Sequence, residues 1–446
     1  MAKDKKVIVV GAGLVGSLLA CYLGRRGYSV DLYERRPDPR SADVERGRSI
    51  NLALSERGLD ALRRIDLVDS VMAPALPMHG RMIHGIDGTT TFQSYSAGGD
   101  RAINSISRSL LNETLIDAAE ATPGVSIHFN ARLASYDLAS NTLTFETAGV
   151  TESRVADIVL ATDGFGSIVR QELQSAGRVS VVTDRLDFGY KELTIPPKDG
   201  EFAMDPDALH IWPRGASMMI ALPNPDRTFT CTLFWPKTGD DGFDALSSEQ
   251  QILEHFGRVY ADAVPLMPTL VEDYQYNPVG LLATIHSDPW QADGKVALVG
   301  DAAHAILPFF GQGAMCGFED VVELDRCLAE VDDDWTLALP MYQERRRHNA
   351  EAIAQLAKEN FVEMRDKVNS KLFLATKQFE HTLEKLLPGT YLSRYEMVSF
   401  TTIPYAEVVE RSRKQQRLLA VAAGGAVLAV AAAATALIRK ASGADD

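Results

Sequence analysis

The first 34 residues carry apolar segments in the order strand, helix, strand. Residues 6–10 are a short run rich in valine and isoleucine, which is typical of a buried parallel strand. A helical pattern then continues to about Arg26, and Ser29–Tyr33 has the composition of a second strand. Because parallel strands need a crossover connection, this order predicts a βαβ unit.

Three glycines separate the first strand from the helix. Gly11 permits a tight turn, Gly13 lets the backbone approach a pyrophosphate, and Gly16 allows the helix to pack closely on the strand. Glu34 ends the second strand 18 residues after Gly16, where a carboxylate can accept hydrogen bonds from ribose hydroxyls. The unit therefore predicts a dinucleotide site, although this pattern alone does not separate NAD from FAD.

Two further strands run into glycine-containing loops. Asp157–Ala161 predicts a strand that leads into Thr162–Ser167, where Asp-Gly is ordinary turn chemistry. Lys295–Val299 predicts another strand, followed by a loop over Gly300–Gly313 and a helix from about Ala314. The glycines at the end of this second loop let the backbone approach a planar ligand, and the helix directs its positive end there.

The chain between these motifs is rich in segments that predict strands. They are bounded by proline, glycine and asparagine and cover Phe188–Ile195, Ala208–Pro213, Ser217–Leu222 and Thr228–Trp235. From Pro340 onward the pattern is helical, and the charged run Glu344–His348 predicts a solvated helix face, the alternative being contact with a cofactor phosphate.

Composition narrows the classes of partner. The 446 residues include 60 acidic and 45 basic side chains, and the formal charge of −15 disfavours a nucleic acid partner. The four cysteines form no CxxC pair, and the nine histidines have no metal-ligand spacing. We therefore expect no metal site, no disulfide framework and a reducing compartment.

Both ends of the chain raise the question of a targeting segment. Lysines before an apolar run ending near Cys21 allow a signal peptide, but the glycine spacing and the second strand favour the dinucleotide unit. Leu418–Ile438 is 21 residues without a charge, flanked by more basic residues before it than after it. It predicts a membrane tail anchor with a cytoplasmic catalytic body, the alternative being an alanine-rich helix packed against protein.

Several motifs resemble those of FAD-dependent aromatic hydroxylases of class A. Thr162–Ser167 resembles their "DG" motif, and Gly300–Gly313 resembles their second FAD fingerprint. The likeness narrows to the kynurenine 3-monooxygenase family through stretches spread over nearly the whole chain: Gly47–Ser55, Gly80–His84, Glu192–Pro197, Leu209–Arg214, Met219–Asn224, Asn360–Arg365 and Tyr395–Phe400.

The resemblance implies an α/β fold, with a Rossmann-like FAD-binding domain of the glutathione-reductase type and an interleaved β-sheet substrate domain. The expected FAD-binding domain is discontinuous, over 1–75, 99–180 and 281–340, and the substrate domain covers 76–98 and 181–280. A C-terminal helical region over 341–417 precedes the candidate anchor at 418–438. We expect a monomer or a homodimer.

The resemblance also implies the reaction. L-kynurenine would be hydroxylated to 3-hydroxykynurenine through a flavin C4a-hydroperoxide, with tightly but non-covalently bound FAD, and NADPH and O₂ as co-substrates. No protein residue is expected as a catalytic acid, base or nucleophile, because the flavin carries the chemistry. Two alternatives stay open: an enzyme of this fold acting on another aromatic or isoprenoid substrate, and a non-catalytic flavin-binding membrane protein.

The site residues follow from the family motifs. For kynurenine they are Arg81, Tyr95, Asn360 and Tyr395. For FAD they are Gly11, Gly13, Val15, Gly16, Glu34, Arg35, Arg36, Ala53, Arg108, Leu133, Asp163, Asp301, Gly313, Ala314 and Met315. Met315 is a departure, because the family usually has asparagine there, and the loss of that amide puts the tuning of the flavin potential in question.

Overall fold

A computed structural model of the chain describes residues 5–41, 51–96, 98–215, 217–239, 242–367, 380, 382–386 and 390–419. Its strands, in chain order, are β1 Lys6–Val10, β2 Ser29–Tyr33, β3 Leu52–Leu54, β4 Leu76–Met78, β5 Gly80–His84, β6 Thr90–Ser94, β7 Ile103–Ile106, β8 Val125–His128, β9 Arg132–Asp137, β10 Thr142–Thr147, β11 Val150–Val155, β12 Ile158–Ala161, β13 Ser180–Ile195, β14 Ala208–Pro213, β15 Met218–Pro223, β16 Phe229–Pro236, β17 Gly280–Asp288, β18 Gln291–Ala292 and β19 Val296–Leu298.

The α-helices are α1 Leu14–Arg25, α2 Glu56–Arg63, α3 Val68–Met72, α4 Arg108–Ala121, α5 Ile168–Ser175, α6 Glu249–Val259, α7 Leu270–Tyr276, α8 Asp301–His304, α9 Gly313–Glu330, α10 Trp335–Val362 and α11 Arg394–Ser399. Short 3₁₀ turns cover Val264–Leu266 and Pro308–Phe310, and a π-helical turn covers Glu363–Lys367. Residues 405–419 are also helical.

A six-stranded sheet in the order β18-β19-β12-β1-β2-β8 contains the dinucleotide unit. Strands β19, β12, β1, β2 and β8 are mutually parallel, and only the short β18 is antiparallel. Strands β1, β12 and β19 are neighbours, so their carboxyl ends share one edge of the sheet. The three glycine-containing loops predicted from the sequence therefore meet at that edge, where ligands bind in open α/β sheets.

A seven-stranded sheet in the order β17-β13-β16-β15-β14-β5-β6 forms the second layer of the molecule. Alternate residues of β16 lie on opposite faces of this sheet. Phe229, Cys231, Leu233 and Trp235 pack against α6 and α7, whereas Phe234 packs with Phe309 and Phe361 on the other face. The predicted strands are thus present, but the helices behind them were not expected from the sequence.

One predicted boundary falls within a strand. The FAD-binding domain was expected to resume at residue 281, but β17 runs over Gly280–Asp288 and pairs with β13 of the seven-stranded sheet. The correction has a simple cause, because β17 is held by hydrogen bonds to a strand about a hundred residues earlier in the chain. Two three-stranded sheets, β11-β10-β9 and β3-β7-β4, complete the strands that the structure describes.

The C-terminal region is helical, as expected. Helix α10 continues directly into the π-helical turn, and α11 lies beyond a gap in the described residues. No helix among the residues that the structure describes is long and apolar enough to span a bilayer. Nearly all of the predicted anchor at 418–438 lies outside those residues, since the described chain ends at 419.

Candidate functional site

A wide cleft lies between the edge of the six-stranded sheet and the open face of the seven-stranded sheet. Its space is about 1690 Å³, including the open solvent at its mouth. Predicted residues from both groups line it: Gly13, Val15, Ala53, Arg81, Tyr95, Arg108, Asp301, Gly313, Ala314, Asn360 and Tyr395. The cleft therefore brings the two predicted sites into one continuous space.

The glycine turn is shaped for a dinucleotide. Gly11 has φ +100°, a conformation that side chains disfavour, and Thr162 Oγ1 donates to the Val10 and Gly11 carbonyl oxygens at 2.8 and 2.9 Å. A Cβ on Gly16 would clash with the Gly11 carbonyl oxygen and lie 2.5 Å from Thr162 Oγ1. A Cβ on Gly13 would meet no atom within 4 Å, so the space beside this glycine is free for a phosphate.

Glu34 lies beside the turn, with its carboxylate already oriented. Its Oε2 accepts from the Ala12 N–H at 3.0 Å, and its Oε1 accepts from Arg36 Nε at 2.8 Å. Burial alone would raise the pKa of Glu34, but the bonds from Arg36 and Ala12 outweigh it and hold the pKa below the ordinary 4.5. Glu34 is thus an ionised acceptor at the position expected for the ribose.

Arg35, Arg36 and Leu133 are among the predicted FAD residues that do not line the cleft. Arg35 is exposed, and Arg36 is occupied by Glu34. The Leu133 side chain is buried in the core, where β9 pairs it with Phe145 of β10. Any contact that Leu133 makes with the cofactor therefore has to come from its backbone.

An unpaired carboxylate oxygen supports the fit of FAD to this cleft. Asp163 Oδ2 accepts from the Ile168 N–H at 2.8 Å, but its Oδ1 is buried without a partner among the described residues. Burial raises the pKa of this carboxyl above its ordinary 3.8. A buried polar atom without a partner is costly, and a hydroxyl of the cofactor would satisfy it. Asp301 and Arg108 line the cleft as further polar groups.

The loop that would face the flavin ring is held from behind. Gly311 adopts the left-handed conformation with φ +67°, and Gln312 is 1% exposed. The Tyr405 hydroxyl donates to Gln312 Oε1 at 2.9 Å, so the segment after α11 supports the loop. Gly313 then begins α9, which directs its positive end into the cleft.

Met315 does not face the cleft. Its side chain is fully buried, and the Cβ that Gly58 lacks would collide with the Met315 sulfur. Methionine therefore replaces the family asparagine at a position where Gly58 of α2 leaves room for the longer side chain. Because the side chain is buried away from the cleft, any contact of Met315 with FAD would come from its backbone, and its role at the cofactor stays a prediction.

The residues predicted to bind the amino acid substrate come together. Arg81 is 7% exposed, and its guanidinium carbon lies 4.6 Å from the ring centre of Tyr395 and 5.6 Å from that of Tyr95. Arg81 Nε and the Tyr95 hydroxyl are buried without hydrogen-bond partners among the described residues. A carboxylate bound here would satisfy both groups, because each can donate to it.

Asn360 and the π-helical turn close the same end of the cleft. Asn360 Nδ2 donates to the Phe309 carbonyl oxygen at 2.6 Å, which ties α10 to the loop before Gly311. Glu363 lies one helical turn later and lines a smaller cavity of about 600 Å³ together with Arg81, Tyr95 and Tyr395. The sequence argument missed Glu363, although it belongs to the quoted stretch Asn360–Arg365. Its spacing of three from Asn360 on a helix was the available signal.

The covering sheet supplies an apolar wall. Its cleft-lining side chains include Leu209, Met218, Ile220, Leu222, Thr232 and Phe234. None of them was singled out from the sequence as a site residue, because alternating apolar residues are equally typical of a protein core. Only the position of the sheet over the cleft shows that this face lines a ligand site.

A buried ionic cluster lies behind the Gly300–Gly313 loop. It includes Arg346 of α10, from the charged run for which the sequence predicted a solvated helix face. Arg346 is 5% exposed, and its Nε donates to Asp320 Oδ1 at 2.7 Å. Asp320 Oδ2 also accepts from the Gly300 N–H at 2.9 Å and lies 2.5 Å from His304 Nε2. The prediction was wrong for Arg346, because two carboxylates on α9 face it inside the protein.

The same cluster contains a trio with ligand atoms close enough to hold a metal ion. His304, Cys316 and Asp320 have these atoms within 4.8 Å of one another. However, both carboxylate oxygens of Asp320 already accept hydrogen bonds, and Arg346 Nη2 lies 3.3 Å from the Cys316 sulfur. A cation would compete with a guanidinium there, so we interpret the trio as part of a salt-bridge network.

Replacing His304 with glutamine should change how stability depends on pH. Burial alone would lower the pKa of His304, but Asp320 and Cys316 raise it well above the ordinary 6.5. The stabilisation by protonated His304 is therefore complete below pH 6.5 and is lost as pH rises through the folded pKa, at about 1.4 kcal/mol per pH unit.

We expect the melting temperature of the wild type to exceed that of His304→Gln most at pH 6 to 6.5, and this difference to shrink towards pH 9. His348→Gln is a matched control, because His348 is exposed on α10. A difference that is constant with pH, or that grows, would contradict the assignment of a protonated His304.

The fold and the cleft together define a class of protein. The Rossmann-type unit has a glycine turn with space for a pyrophosphate, and the ionised Glu34 beside it can accept hydrogen bonds from a ribose. Asp163 adds a buried carboxylate oxygen without a partner among the described residues, and the seven-stranded mixed sheet covers the region where the flavin ring would lie. This combination defines an FAD-binding flavoprotein with room in the same cleft for a second ligand.

Comparisons with known proteins identify the family. The protein family described as "FAD binding domain" matches residues 4–357 of this chain. A kynurenine 3-monooxygenase from Myxococcus xanthus is 46% identical over 91% of this chain and 88% of its own length. Those from Stenotrophomonas maltophilia and Dictyostelium discoideum are 43% and 42% identical, over 93% of this chain and 92% of theirs. The chain belongs to the kynurenine 3-monooxygenase family.

Solved structures confirm the predicted fold class. A 2-methyl-3-hydroxypyridine-5-carboxylic acid oxygenase aligns with a TM-score of 0.67 at 24% identity, covering 84% of this chain and 96% of its own. A p-nitrophenol 4-monooxygenase from Pseudomonas putida aligns with a TM-score of 0.66 at 19% identity, covering 86% and 94%. At these identities the likeness concerns the fold alone.

Proposed function

We propose that this protein hydroxylates L-kynurenine to 3-hydroxykynurenine, with FAD as its bound cofactor and NADPH and O₂ as co-substrates. Relatives at 42–46% identity over more than nine-tenths of the chain carry the name of that activity. The observation that carries the proposal is the buried Arg81 packed against the stacked rings of Tyr95 and Tyr395, in the same cleft that the glycine turn lines.

The head of the substrate would bind to complementary charges. The kynurenine carboxylate can accept two hydrogen bonds from the Arg81 guanidinium, with Tyr95 donating a third. Burial raises the pKa of the Tyr95 hydroxyl well above its ordinary 10.0, so this phenol keeps its proton as a donor. The Glu363 carboxylate lines the same end of the cleft and would face the α-ammonium. An amino acid therefore matches this end better than a simple aromatic acid does.

The residues around the ring would position it and exclude water. Reduced FAD supplies the activation of O₂ when it is bound, and the protein has to keep the reacting centre dry. Phe309, Phe234 and Leu222 line the cleft as apolar walls. The ring amine of kynurenine already donates electrons to the carbon beside it. For this reason we propose no catalytic acid, base or nucleophile from the protein.

The roles of the cofactor residues remain part of the proposal. Gly13 and Val15 would contact the pyrophosphate, Glu34 the ribose, and Asp163 with its unpaired oxygen a hydroxyl of the cofactor. Arg108, Asp301, Ala53, Gly313 and Ala314 would line the rest of the flavin site. Gly11 and Gly16 would shape the turn without touching the ligand through a side chain.

An assay of the purified protein reconstituted with FAD tests the function. Kynurenine should stimulate NADPH oxidation and yield a product that is heavier by one oxygen atom. Salicylate and tryptophan serve as comparison substrates for the rival readings. Faster turnover of either one, or NADPH oxidation without any hydroxylated product, would contradict the proposal.

Association with a membrane and assembly stay predictions. The helix over 405–419 contains the basic residues that precede the apolar segment, and it would lead directly into the anchor at 418–438. Flotation of the full chain with lipid vesicles, compared with a chain that ends at residue 417, would test the anchor. Light scattering of the same two proteins would separate monomer from homodimer.

A further inference from the structure

Thr232 is a polar residue of the cleft wall, and its paired neighbour on β13 is Glu192. It lies in β16, its side chain is 0% exposed, and its hydroxyl has no hydrogen-bond partner among the described residues. It nonetheless lines the main cleft, where its direct neighbour on β15 is Ile220. Met218, Leu222 and Phe234 surround it on the same face of the sheet.

A buried hydroxyl without a partner needs an explanation. Such a group loses its hydrogen bonds to water on folding and gains none in return, whereas valine has nearly the same shape and no such cost. Valine is also favoured in strands. Threonine at this position is therefore best explained by a ligand in the cleft that supplies the missing hydrogen bond.

The position of Thr232 in the sheet indicates which part of the ligand it meets. Arg81 on β5 pairs with Leu209 on β14, and β15 lies between β14 and β16. Three strand spacings, about 14 Å, therefore separate the strands that carry Arg81 and Thr232. A ligand held by its carboxylate at Arg81 and extended across the sheet would present its far end to Thr232.

We propose that Thr232 recognises the aromatic amine of the substrate by accepting a hydrogen bond from its N–H. This inference rests on the proposed function, because kynurenine carries an amine on its ring, ortho to the ketone and in the aryl half of the molecule. A hydroxyl that accepts a hydrogen bond from the amine N–H leaves the nitrogen lone pair free to donate electrons to the ring. A hydroxyl that donated to the nitrogen would engage this lone pair and reduce its donation to the ring. Thr232 is thus a specificity residue that selects aryl ketones bearing this amine.

The test measures binding to the FAD-loaded protein without turnover. Perturbation of the flavin absorbance gives Kd for kynurenine and for 2-amino-4-oxo-4-phenylbutanoic acid, the analogue that lacks only the ring amine. Thr232→Val should weaken the binding of kynurenine about fivefold to tenfold, as expected for a neutral hydrogen bond, and leave the analogue unchanged. Thr232→Ser keeps the hydroxyl and should preserve the preference of the wild type for kynurenine.

Thr230→Val is the matched control. Thr230 lies two residues away on the same face, but its hydroxyl already accepts from Asn224 Nδ2 at 3.0 Å, and it does not line the cleft. This variant should change Kd for kynurenine and for the analogue by the same factor.

Equal weakening of both ligands by Thr232→Val, or no weakening of either, would overturn the assignment. If Thr232→Val fails to fold, as judged by its melting temperature, Thr232→Ala replaces it. The readout is again the ratio of Kd for the analogue to Kd for kynurenine. Failure of the wild type to bind kynurenine would instead contradict the proposed function. A wild type that binds kynurenine no better than the analogue would contradict the inference alone.

Discussion

Replacing Arg81 with alanine should raise KM for kynurenine by about 30-fold to 4,000-fold, because truncating one partner of a buried charge pair costs about 2–5 kcal/mol. Arg81 is 7% exposed and packs against the stacked rings of Tyr95 and Tyr395, so water cannot readily replace it. The substrate carboxylate would enter a pocket without a cation. The rate constant kcat should fall much less, since Arg81 is assigned to the amino acid end of the ligand.

The retention of FAD separates this role from a structural one. Arg81→Ala should keep its yellow colour and its FAD affinity, because Arg81 is assigned to the substrate and not to the cofactor. Arg108→Ala is the reciprocal control, since Arg108 lines the cofactor part of the cleft at the start of α4, and it should weaken FAD more than kynurenine. A colourless Arg81→Ala protein would refute the assignment of Arg81 to the substrate.

Gly16→Ala and Gly13→Ala should both weaken FAD binding, but only Gly16→Ala should lower the stability of the FAD-free protein. At Gly16 the new methyl group would collide with the Gly11 carbonyl oxygen and the Thr162 hydroxyl, so α1 would have to move away from β1. Overpacking of this kind costs about 1–3 kcal/mol or more. We expect Gly16→Ala to lower the melting temperature of the FAD-free protein and to abolish measurable FAD binding.

At Gly13 the methyl group would meet no protein atom within 4 Å. The FAD-free protein should therefore melt as the wild type does, whereas FAD should bind at least tenfold more weakly, because the methyl group would occupy the approach of the pyrophosphate. Quenching of FAD fluorescence gives the affinity, and thermal melting gives the stability. A Gly13→Ala protein that loses stability but keeps its FAD affinity would contradict the placement of the phosphates.

The dinucleotide unit could be predicted from the sequence because its signals are local. A strand, three glycines and a helix follow one another within about twenty residues, and each glycine has a physical role that neighbouring residues define. The structure has β1 and β2 at the predicted residues and ends α1 one residue earlier than predicted. The family likeness extended this reading to Arg81, Tyr95, Asn360 and Tyr395, although no local pattern distinguishes Arg81 from a surface arginine.

Other features depend on contacts between distant segments. Arg346 sits in a charged run that favours a solvated face, but α9 places Asp320 and Glu319 against it, and the guanidinium is buried. Helices α6 and α7 lie in a segment where strands dominate the sequence pattern, and they cover the back of the seven-stranded sheet. The side chain of Met315 points to α2, because Gly58 leaves a space that position 315 alone does not reveal.

Local spacing and composition were thus sufficient for the class of fold and the cofactor turn. The burial of individual polar groups could not be predicted from the sequence. Whether such a group is solvated, hydrogen-bonded or left without a partner depends on which distant chain segments fold over it. The orphan oxygens of Asp163 and Thr232 and the pairing of Arg346 became visible only once the two sheets and the C-terminal helices were in place. These buried groups are also where the function of the protein is most open to experiment.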